Sequence, residues 1–519
     1  MIALIVSNWF LIRHVSSRVV LALRTSGILP PIPRLLGTSH PVFYIGVALG
    51  VGCMADNDKT GTGESRRTNS GVLVGRREFL AASGTSAIAL TAGCTGGDGD
   101  GGSGSGEGGN GSGGSGEGGN SSVGSASGNI NGPIKLGALA PMPGNFAGGT
   151  AQKQAAELAV QQVNNNGGLA GAQVELTVKD TQLDPSTARE AYRELMLEEE
   201  VDATIGLFGS EPGLAVFDEM SQFDKVHVAG GVSTTEINDR INENYEQNKT
   251  WFRAMPNSYF FGLNLGKHAQ AKFEDWGFQT IGLAVENITG FQEIYKTAVE
   301  NLPDSVEVAF TEQFSSDTKD FSPILNKGES NDIDLLYSFL SQGGVGLEIQ
   351  WAKRKPNFSL GGADVFSAIP TQWQNTDGAV EHIWSYIPGS GPGFEVNETT
   401  SEFIQAHRDE YGGPPPHSQA YTMYDAAQSF FNGVRGAGTL NTNDLVKTIE
   451  DDLDFTGVTG QINYLDKGKE YVHDPQYGEN GVQPPVIQWQ EVDGEPGQVG
   501  LWPERVDSGD YVSPPWIEK

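Results

Sequence analysis

Cysteine and basic residues are scarce in this sequence of 519 residues. Its two cysteines are Cys53 and Cys94, so the region after Cys94 has no disulfide framework, thiolate metal site or cysteine nucleophile. The 33 Lys and Arg stand against 65 Asp and Glu, which gives a formal net charge of −32. Such a chain repels phosphate backbones and anionic lipid, so we predict no nucleic-acid binding. We interpret the acidity as halophilic, a property of habitat rather than of ligand.

Sequence motifs of metal-dependent and nucleotide-dependent enzymes are missing as well. The histidines after residue 53 form neither an HxH nor an HExxH pattern, and we find no P-loop and no dinucleotide fingerprint. Pairs of carboxylates are too common at this composition to indicate glycoside hydrolysis. We therefore predict no metal, no cofactor and no enzymatic activity.

The N-terminal part resembles an export signal. Arg76 and Arg77 precede the apolar run EFLAASGTSAIALTA, as in a twin-arginine signal. This run is too short and too rich in small residues to span a bilayer. The TAGC sequence that ends at Cys94 resembles a lipobox, which predicts lipidation of that cysteine. We predict that residues 54–93 are the signal, that translation starts at Met54, and that residues 1–53 are a misassigned extension.

Residues 94–129 join this signal to the rest of the chain. After Cys94 they are almost entirely Gly, Ser and Asn with a few acids, a composition that cannot bury apolar surface. We predict a flexible tether with roughly 30 to 35 Å of reach by random-coil scaling. A lipid at Cys94 would then hold the body at the outer face of the cytoplasmic membrane.

From residue 130 onward, short apolar runs alternate with helical patterns. The predicted strands are 134–140, 174–178, 203–208, 226–229, 281–285, 306–310, 333–337, one ending at 360, and 486–489 in a tail of mostly loop. The predicted helices are 151–163, 184–199, 213–223, 291–301, 321–328, 347–353, 399–411 and 420–434. Strands separated by such helices form parallel sheets with right-handed crossovers. Two such sets in tandem predict an α/β fold with two doubly wound parallel-sheet lobes.

Six segments in this order resemble the type I periplasmic binding proteins, specifically the branched-chain amino-acid receptors of ABC importers. They are LGALAPMPG ending at residue 144, AAELAVQQVNNNGGLAGAQVEL (155–176), KDTQLDPSTA (179–188), ATIGLFGS (203–210), WFRAMPNSYFFG (251–262) and TKDFSPIL (318–325). The resemblance implies a hinge of three crossings, near residues 257, 390 and 455. Lobe 1 would then be 130–257 with 391–455, lobe 2 would be 258–390 with 456–505, and 506–519 would be a tail.

Two loops of lobe 1 are candidates for holding a ligand. Gly209 and Ser210 follow one predicted strand, and Ser233, Thr234 and Thr235 follow the next. Each loop precedes a helix, whose free N–H groups together with the hydroxyls form a socket for a carboxylate or a carbonyl. The resemblance implies that these loops bind the carboxylate end of an amino acid. The alternative is that each hydroxyl is a plain helix cap.

In lobe 2, the resemblance implies aromatic residues at two places and an acid at a third. Thr289 stands where an aromatic is common, and Tyr337 and Ser338 occupy the second place. The acid, Asp364, is displaced by about one residue. An ammonium group in a dry cleft needs a carboxylate partner, so if Asp364 does not reach the ligand, the ligand is not an α-amino acid. The alternative is that Asp364 is an ordinary surface carboxylate.

Aromatic residues could stack on a ligand as well. Phe146 lies in the first cleft loop and is the aromatic that we favour. The tryptophans of the body are better explained by packing in the cores or between the lobes; those considered are Trp251, Trp276, Trp351, Trp373 and Trp384.

These predictions describe an extracytoplasmic, monomeric solute-binding lipoprotein. It would capture a small polar solute between its lobes, such as an amino acid, an amide, urea or a small carboxylate. By resemblance, its partners are the permease subunits of an ABC importer. The alternative is a ligand-sensing receptor of the same fold that takes no part in transport.

Overall fold

The computed structural model describes residues 130–142, 146–386, 395–506 and 508–518. The predicted export signal at Arg76 and Arg77, the start at Met54, the lipidated Cys94 and the tether lie outside these residues. The predicted crossing near residue 390 also lies outside them.

The first half of the body is a parallel sheet with helices on both faces. Its strand order is β2-β1-β3-β4-β5, all parallel. The elements are β1 (Ile134–Ala140), α1 (Ala147–Asn165), β2 (Val174–Asp180), α2 (Pro185–Leu197), β3 (Ala203–Gly206), α3 (Ser210–Met220), β4 (His227–Ala229), α4 (Glu236–Glu243), α5 (Tyr245–Asn248) and β5 (Trp251–Arg253).

The second half repeats this arrangement. Strands β7-β6-β8-β9-β10 are parallel and follow the same winding order as the first sheet. The elements are α6 (Ser258–Trp276), β6 (Thr280–Glu286), α7 (Thr289–Glu300), β7 (Glu307–Phe314), α8 (Ser322–Ser330), β8 (Leu335–Leu340), α9 (Val345–Arg354), β9 (Ser359–Asp364), α10 (Gln372–Asn375) and β10 (Trp384–Tyr386).

The C-terminal part returns to both lobes. Its elements are α11 (Glu398–Tyr411), α12 (Gln419–Ala437), α13 (Thr442–Asp451), β11 (Asp454–Thr456), β12 (Gln461–Asn463), β13 (Val486–Val492), β14 (Glu495–Trp502) and a 3-10 turn at Glu504–Val506. Helix α12 packs against α1 in lobe 1. Strand β13 pairs antiparallel with β10 and with β14, which extends the sheet of lobe 2.

Local sequence explains where these elements begin and end. The Asp184 side chain accepts a hydrogen bond of 2.8 Å from the N–H of Thr187, and Pro185 occupies the first turn of α2. Gly277 ends α6 in the left-handed conformation at φ 75°, where glycine has no Cβ to clash. Successive buried apolar residues of the central strands point to opposite faces of the sheet, so that each sheet has a core on either face.

The predicted fold class is confirmed, whereas several strand ends and elements differ. Strand β8 continues to Leu340 and β9 to Asp364, where those two residues are paired with each other. The prediction ended both strands early. It also missed α6, α13 and β14, whereas the strand predicted at 486–489 is β13. No helix among the described residues is both long and apolar enough to cross a membrane.

The segment after residue 455 differs from the predicted lobe boundary. Ile462 and Tyr464 pack in the same core as β1, because the buried carboxylate of Asp425 on α12 accepts the N–H groups of Val458 at 2.8 Å and Thr459 at 3.0 Å. The chain therefore rejoins the second sheet only at β13. The predicted tail packs on lobe 2, where residue 512 bonds to the side chain of Gln488.

Candidate functional site

A cavity of about 330 Å³ lies where the carboxyl ends of the two parallel sheets face each other. This is the end at which open α/β sheets bind ligands. Both lobes contribute lining residues; they are Leu183, Pro185, Phe208, Gly209, Ser210, Glu211, Pro212, Gly231, Ser233 and Gln419 from lobe 1, and Met255, Phe261, Ile288, Gly290, Phe291, Ile294, Ser341, Gln342, Val365 and Tyr386 from the first crossing and lobe 2.

Two serine hydroxyls belong to the polar part of the lobe 1 wall, together with Gln419 and Glu211. Ser210 begins α3, Ser233 lies in the loop after β4, and both line the cavity. Neither hydroxyl makes a hydrogen bond to another described residue. The two serines lie against α7 of the other lobe, since a Cβ added to Gly290 would be 2.6 Å from Ser233 Oγ and 3.1 Å from Ser210 Oγ.

The opposite wall is built on the ends of β6 and β8. Glu286 is fully buried at the end of β6. Its carboxylate accepts the backbone N–H groups of Ser341 at 2.6 Å and Gln342 at 2.9 Å. These bonds fix the loop after β8, so that Ser341 and Gln342 line the cavity.

The rest of the lining is mostly apolar. Phe208, Phe261 and Phe291 contribute buried rings, and Tyr386 contributes a phenol. The lining residues include no Arg, Lys or His, and Glu211 is the single carboxylate among them. Glu211 is exposed at the rim, where its Oε1 lies 3.4 Å from the N–H of Thr289. The cavity therefore offers hydroxyls and aromatic surface rather than a cationic side chain.

The structure divides the residues predicted in lobe 1 into two groups. Gly209, Ser210 and Ser233 line the cavity. Thr234 and Thr235 face Glu293 on α7 instead: the Thr234 hydroxyl donates to it at 3.2 Å, and the Thr235 N–H and hydroxyl donate at 3.2 and 3.3 Å. These threonines therefore join the two lobes next to the cavity and are not part of its lining.

The predicted residues of β8 lie in the core. Tyr337 and Ser338 are fully buried within the strand, and the ring of Tyr337 lies 4.9 Å from that of Phe339 and 5.7 Å from that of Trp384. Because the strand runs on to Leu340, its tip lies three residues beyond Tyr337. Thr289 is the first residue of α7 and lies on the surface beside the cavity.

Asp364 is buried beneath the cavity, 1% exposed, and it does not line the cavity. Its Oδ1 accepts the N–H groups of Phe366 at 3.0 Å and Ser367 at 3.3 Å. The carboxyl group lies beside that of Glu348, a buried residue of α9, and Asp364 Oδ2 and Glu348 Oε1 accept no hydrogen bond from another described residue. Burial raises the pKa of Asp364 to about 6, and burial together with the charge of Asp364 raises the pKa of Glu348 well above its usual value. The pair therefore holds a proton near neutral pH.

Replacing Glu348 with glutamine is expected to stabilise the protein at pH 8 and to change little at pH 4.5. Both pKa values are raised by folding, so the stability of the protonated pair is present below about pH 4 and is lost as the pH rises through about 6. The new amide keeps an acceptor for Gln372, which bonds to Glu348 at 2.7 Å, and gains a donor toward Asp364. We expect a gain of about 1–3 kcal/mol at pH 8.

Thermal unfolding of E348Q at the two pH values measures this effect. The matched control is Glu479→Gln, at an exposed position in the C-terminal part of the chain. An equal loss of stability at pH 4.5 and pH 8 in E348Q would show that Glu348 is not held protonated.

None of the aromatic residues considered from the sequence belongs to the lining of the cavity. Phe146 packs behind the wall, with its ring 5.5 Å from that of Phe208. Trp251, Trp351 and Trp384 are fully buried in the cores. Among the described ranges there is also no cluster of three or more His, Cys, Asp or Glu residues that could hold a metal ion.

Sequence reasoning missed several residues of the site. Ser341, Gln342 and Tyr386 in lobe 2 and Gln419 in lobe 1 line the cavity. The SQGG sequence that begins at Ser341 is a loop signal after an apolar run, and it marks the true tip of β8. No comparable signal identifies Tyr386, which comes from a strand of only three residues.

The loop that carries Ser233 is held from behind by a buried arginine. Arg253 is fully buried and donates to the carbonyl oxygens of Ser233 at 3.1 Å and Thr234 at 3.0 Å. Its Nε lies 3.4 Å from the carboxylate of Asp474, which also accepts a bond of 2.7 Å from Asn257. This cluster connects the loop that carries Ser233 to two segments that link the lobes.

Comparison with known proteins gives consistent matches over the body. A family model described as periplasmic binding protein matches residues 133–476. The Leu/Ile/Val-binding protein homolog 1 of Brucella abortus is 24% identical over 358 residues, which is 64% of this chain and 87% of the relative.

Two solved structures illustrate the likeness in fold. The branched-chain amino acid transporter substrate-binding protein LivJ of Streptococcus pneumoniae, in complex with isoleucine, has a TM-score of 0.59 and 20% identity, and covers 71% of this chain and 99% of its own. A solute-binding protein of an ABC transporter from Rhodopseudomonas palustris, in complex with 3,4-dihydroxybenzoic acid, has a TM-score of 0.58 and 18% identity. The match covers 74% of this chain and 99% of that protein.

Proposed function

This chain belongs to the periplasmic binding protein family, as its sequence predicted, and on that basis we propose that it captures a small solute outside the cytoplasm and delivers it to an ABC importer. Its relatives are binding proteins and not enzymes. The observation that carries the proposal is the cavity of about 330 Å³ between the carboxyl ends of the two sheets, with walls from both lobes. A solute held there contacts both lobes and therefore favours their closed arrangement.

The proposal includes the membrane anchor. The twin arginines Arg76 and Arg77 and the TAGC sequence ending at Cys94 support export and lipidation. We propose that the exported protein is a monomer. The Gly/Ser tether that follows would let the body meet the permease subunits of the importer while it stays at the membrane. Replacing Cys94 with alanine is expected to release the exported protein into the medium.

Contacts between the lobes indicate how closure is completed. Glu293 of α7 accepts three hydrogen bonds from Thr234 and Thr235 at the start of α4 in the opposite lobe. A carboxylate at a helix N-terminus is favourable because it faces free N–H groups. Glu211 of lobe 1 makes the reciprocal contact with the N-terminus of α7. We call these two contacts the carboxylate latch, and we propose that they stabilise the closed form.

Replacing Glu293 with glutamine is expected to weaken solute binding by about three- to tenfold. The variant loses the charge of three charge-assisted bonds that join the two lobes. The dissociation constant of the tightest-binding solute gives the measurement. Glu300→Gln is the matched control, because Glu300 is exposed at the other end of the same helix. Unchanged affinity in E293Q would exclude a role of the latch in closure.

The proposal as a whole is tested by titration calorimetry against amino acids, amides, urea and small carboxylates. The full exported chain is used in concentrated salt, because its acidic surface favours folding there. We expect one class of solute to bind with a stoichiometry of one and with a rise in melting temperature. Conversion of any solute to product, or binding of none, would contradict the proposal.

A further inference from the structure

We infer that the cavity takes a monocarboxylate with an apolar or aromatic body and without an α-ammonium group. This inference rests on the proposed function and names its substrate class. Three features of the cavity carry it: no buried carboxylate belongs to its lining, hydroxyls and helix N-termini converge at one end, and rings form the rest of the wall.

The carboxylates near the cavity are unsuited to an ammonium ion. Asp364 is buried beside Glu348, its Oδ1 accepts two backbone N–H groups, and it is absent from the lining. Glu286 is also absent from the lining: its Oε2 accepts the N–H groups of Ser341 and Gln342, and its Oε1 is buried without a hydrogen-bond partner among the described residues. Glu211 lies exposed at the rim. An ammonium inside the cavity would thus lose its water without gaining a buried counter-charge, which is costly.

Donors for a carboxylate converge where Ser210, Ser233 and Gly290 meet. Ser210 is 3% exposed and begins α3, and its hydroxyl has no partner among the described residues. Gly290 lies in the first turn of α7, where the N–H groups have no partner within their own helix. Helices α3 and α7 come from different lobes and direct their N-termini to the same place, which favours an anion. A carboxylate bound here would bridge the lobes.

The rest of the cavity suits an apolar body. The rings of Phe208, Phe261 and Phe291 line it together with Ile288 and Ile294. A volume of about 330 Å³ is at the lower end for ligand pockets, so the body is a branched alkyl chain or a single ring. A second charged group on the ligand would meet these apolar walls, and for this reason we infer a single carboxylate.

Matched ligands that differ in one group test the inference. Calorimetry compares leucine, 4-methylpentanoate and 4-methylpentanamide, and in parallel phenylalanine, 3-phenylpropanoate and 3-phenylpropanamide. We expect at least one carboxylate to bind about tenfold or more tightly than the amino acid and the amide of its set. The amide lacks the negative charge that the donors favour, and the amino acid carries an ammonium group for which the lining has no buried counter-charge.

Other results overturn the inference in distinguishable ways. Tighter binding of leucine or phenylalanine would show that a counter-charge reaches the ammonium, and tighter binding of an amide would show that the head group is neutral. If neither set binds but urea or an amino acid of the wider panel does, the inference fails and the proposed function stands. If nothing binds, both fail.

Variants locate the carboxylate within the cavity. Ser210→Ala and Ser233→Ala are each expected to weaken binding of the preferred carboxylate by about five- to tenfold, because each removes a hydrogen bond to a charged group. Their effect on the matched amide is expected to be smaller. Ser221→Ala is the control, since Ser221 is exposed at the opposite end of α3. Equal affinities in all three variants, with melting temperatures unchanged, would remove the serines from the carboxylate site.

Discussion

Replacing Gly290 with valine is expected to weaken solute binding by roughly 30- to 100-fold while leaving each lobe folded. The backbone of Gly290 lies against the hydroxyls of Ser210 and Ser233 across the cleft, where a Cβ would come within 2.6 Å of Ser233 Oγ. With alanine at this position, a change of the Ser233 rotamer could relieve the contact. The branched side chain of valine fills more of the space in front of both serines, so the closed form carries a steric penalty of about 2–3 kcal/mol.

Three measurements separate closure from folding in this variant. Calorimetry gives the affinity, small-angle scattering gives the compactness with saturating solute, and thermal unfolding shows that the fold is intact. Gly413→Val is the control, since a Cβ added to Gly413 meets no atom within 4 Å. Wild-type affinity in G290V would mean that the lobes do not close through this contact.

The sequence predicted the order of the elements better than their ends. Alternation of apolar runs with helical patterns gave the two sheets correctly, because burying both faces of a parallel strand requires a continuous apolar run. The predicted end of β8, at Tyr337, was three residues too early. The run LLYSFL is fully buried, and nothing within it tells a residue inside the strand from one at its tip. Only the pairing of β8 with β9, whose last pair is Leu340 with Asp364, decides where β8 ends.

The candidate site was predictable where a loop directly follows a short strand. Glycine and serine after β3 and β4 correctly indicated Gly209, Ser210 and Ser233 as residues at the sheet edge, and these line the cavity. Their role in binding stays a prediction. Thr234 and Thr235 have the same local pattern and face Glu293 instead. That partner is nearly sixty residues away in the other lobe, so no local pattern could reveal it.

Whether Asp364 reaches the cavity depends on packing between distant segments, which the local sequence does not show. Its displacement by about one residue raised the question whether it reaches an ammonium ion, and the structure has it buried against Glu348. A strand alternates its side chains between the two faces of the sheet, so a shift of one residue turns the carboxyl away from the cleft. The burial of Asp364 is the reason why we infer a ligand without an α-ammonium group.

Replacing Arg253 with methionine is expected to lower the free energy of unfolding by about 3–5 kcal/mol, because the variant leaves a buried carboxylate without its cation. Asp474 is 1% exposed, and burial already raises its pKa although Arg253 lies 3.4 Å away. The carbonyl oxygens of Ser233 and Thr234 also lose their donors. We therefore expect weaker solute binding as well, since the loop that carries Ser233 is no longer fixed.

Urea unfolding followed by tryptophan fluorescence measures the loss in R253M. The control is Arg240→Met: Arg240 also bonds to two acids, Asp218 at 2.7 Å and Glu236 at 3.0 Å, but its side chain is 35% exposed, so it is expected to cost at most about 1 kcal/mol. Adding Asp474→Asn to R253M removes the unpaired charge and is expected to restore part of the stability. If the double variant were less stable than R253M, the loss would come from packing rather than from the uncompensated carboxylate, and Arg253 would hold the ligand loop by its shape instead of its charge.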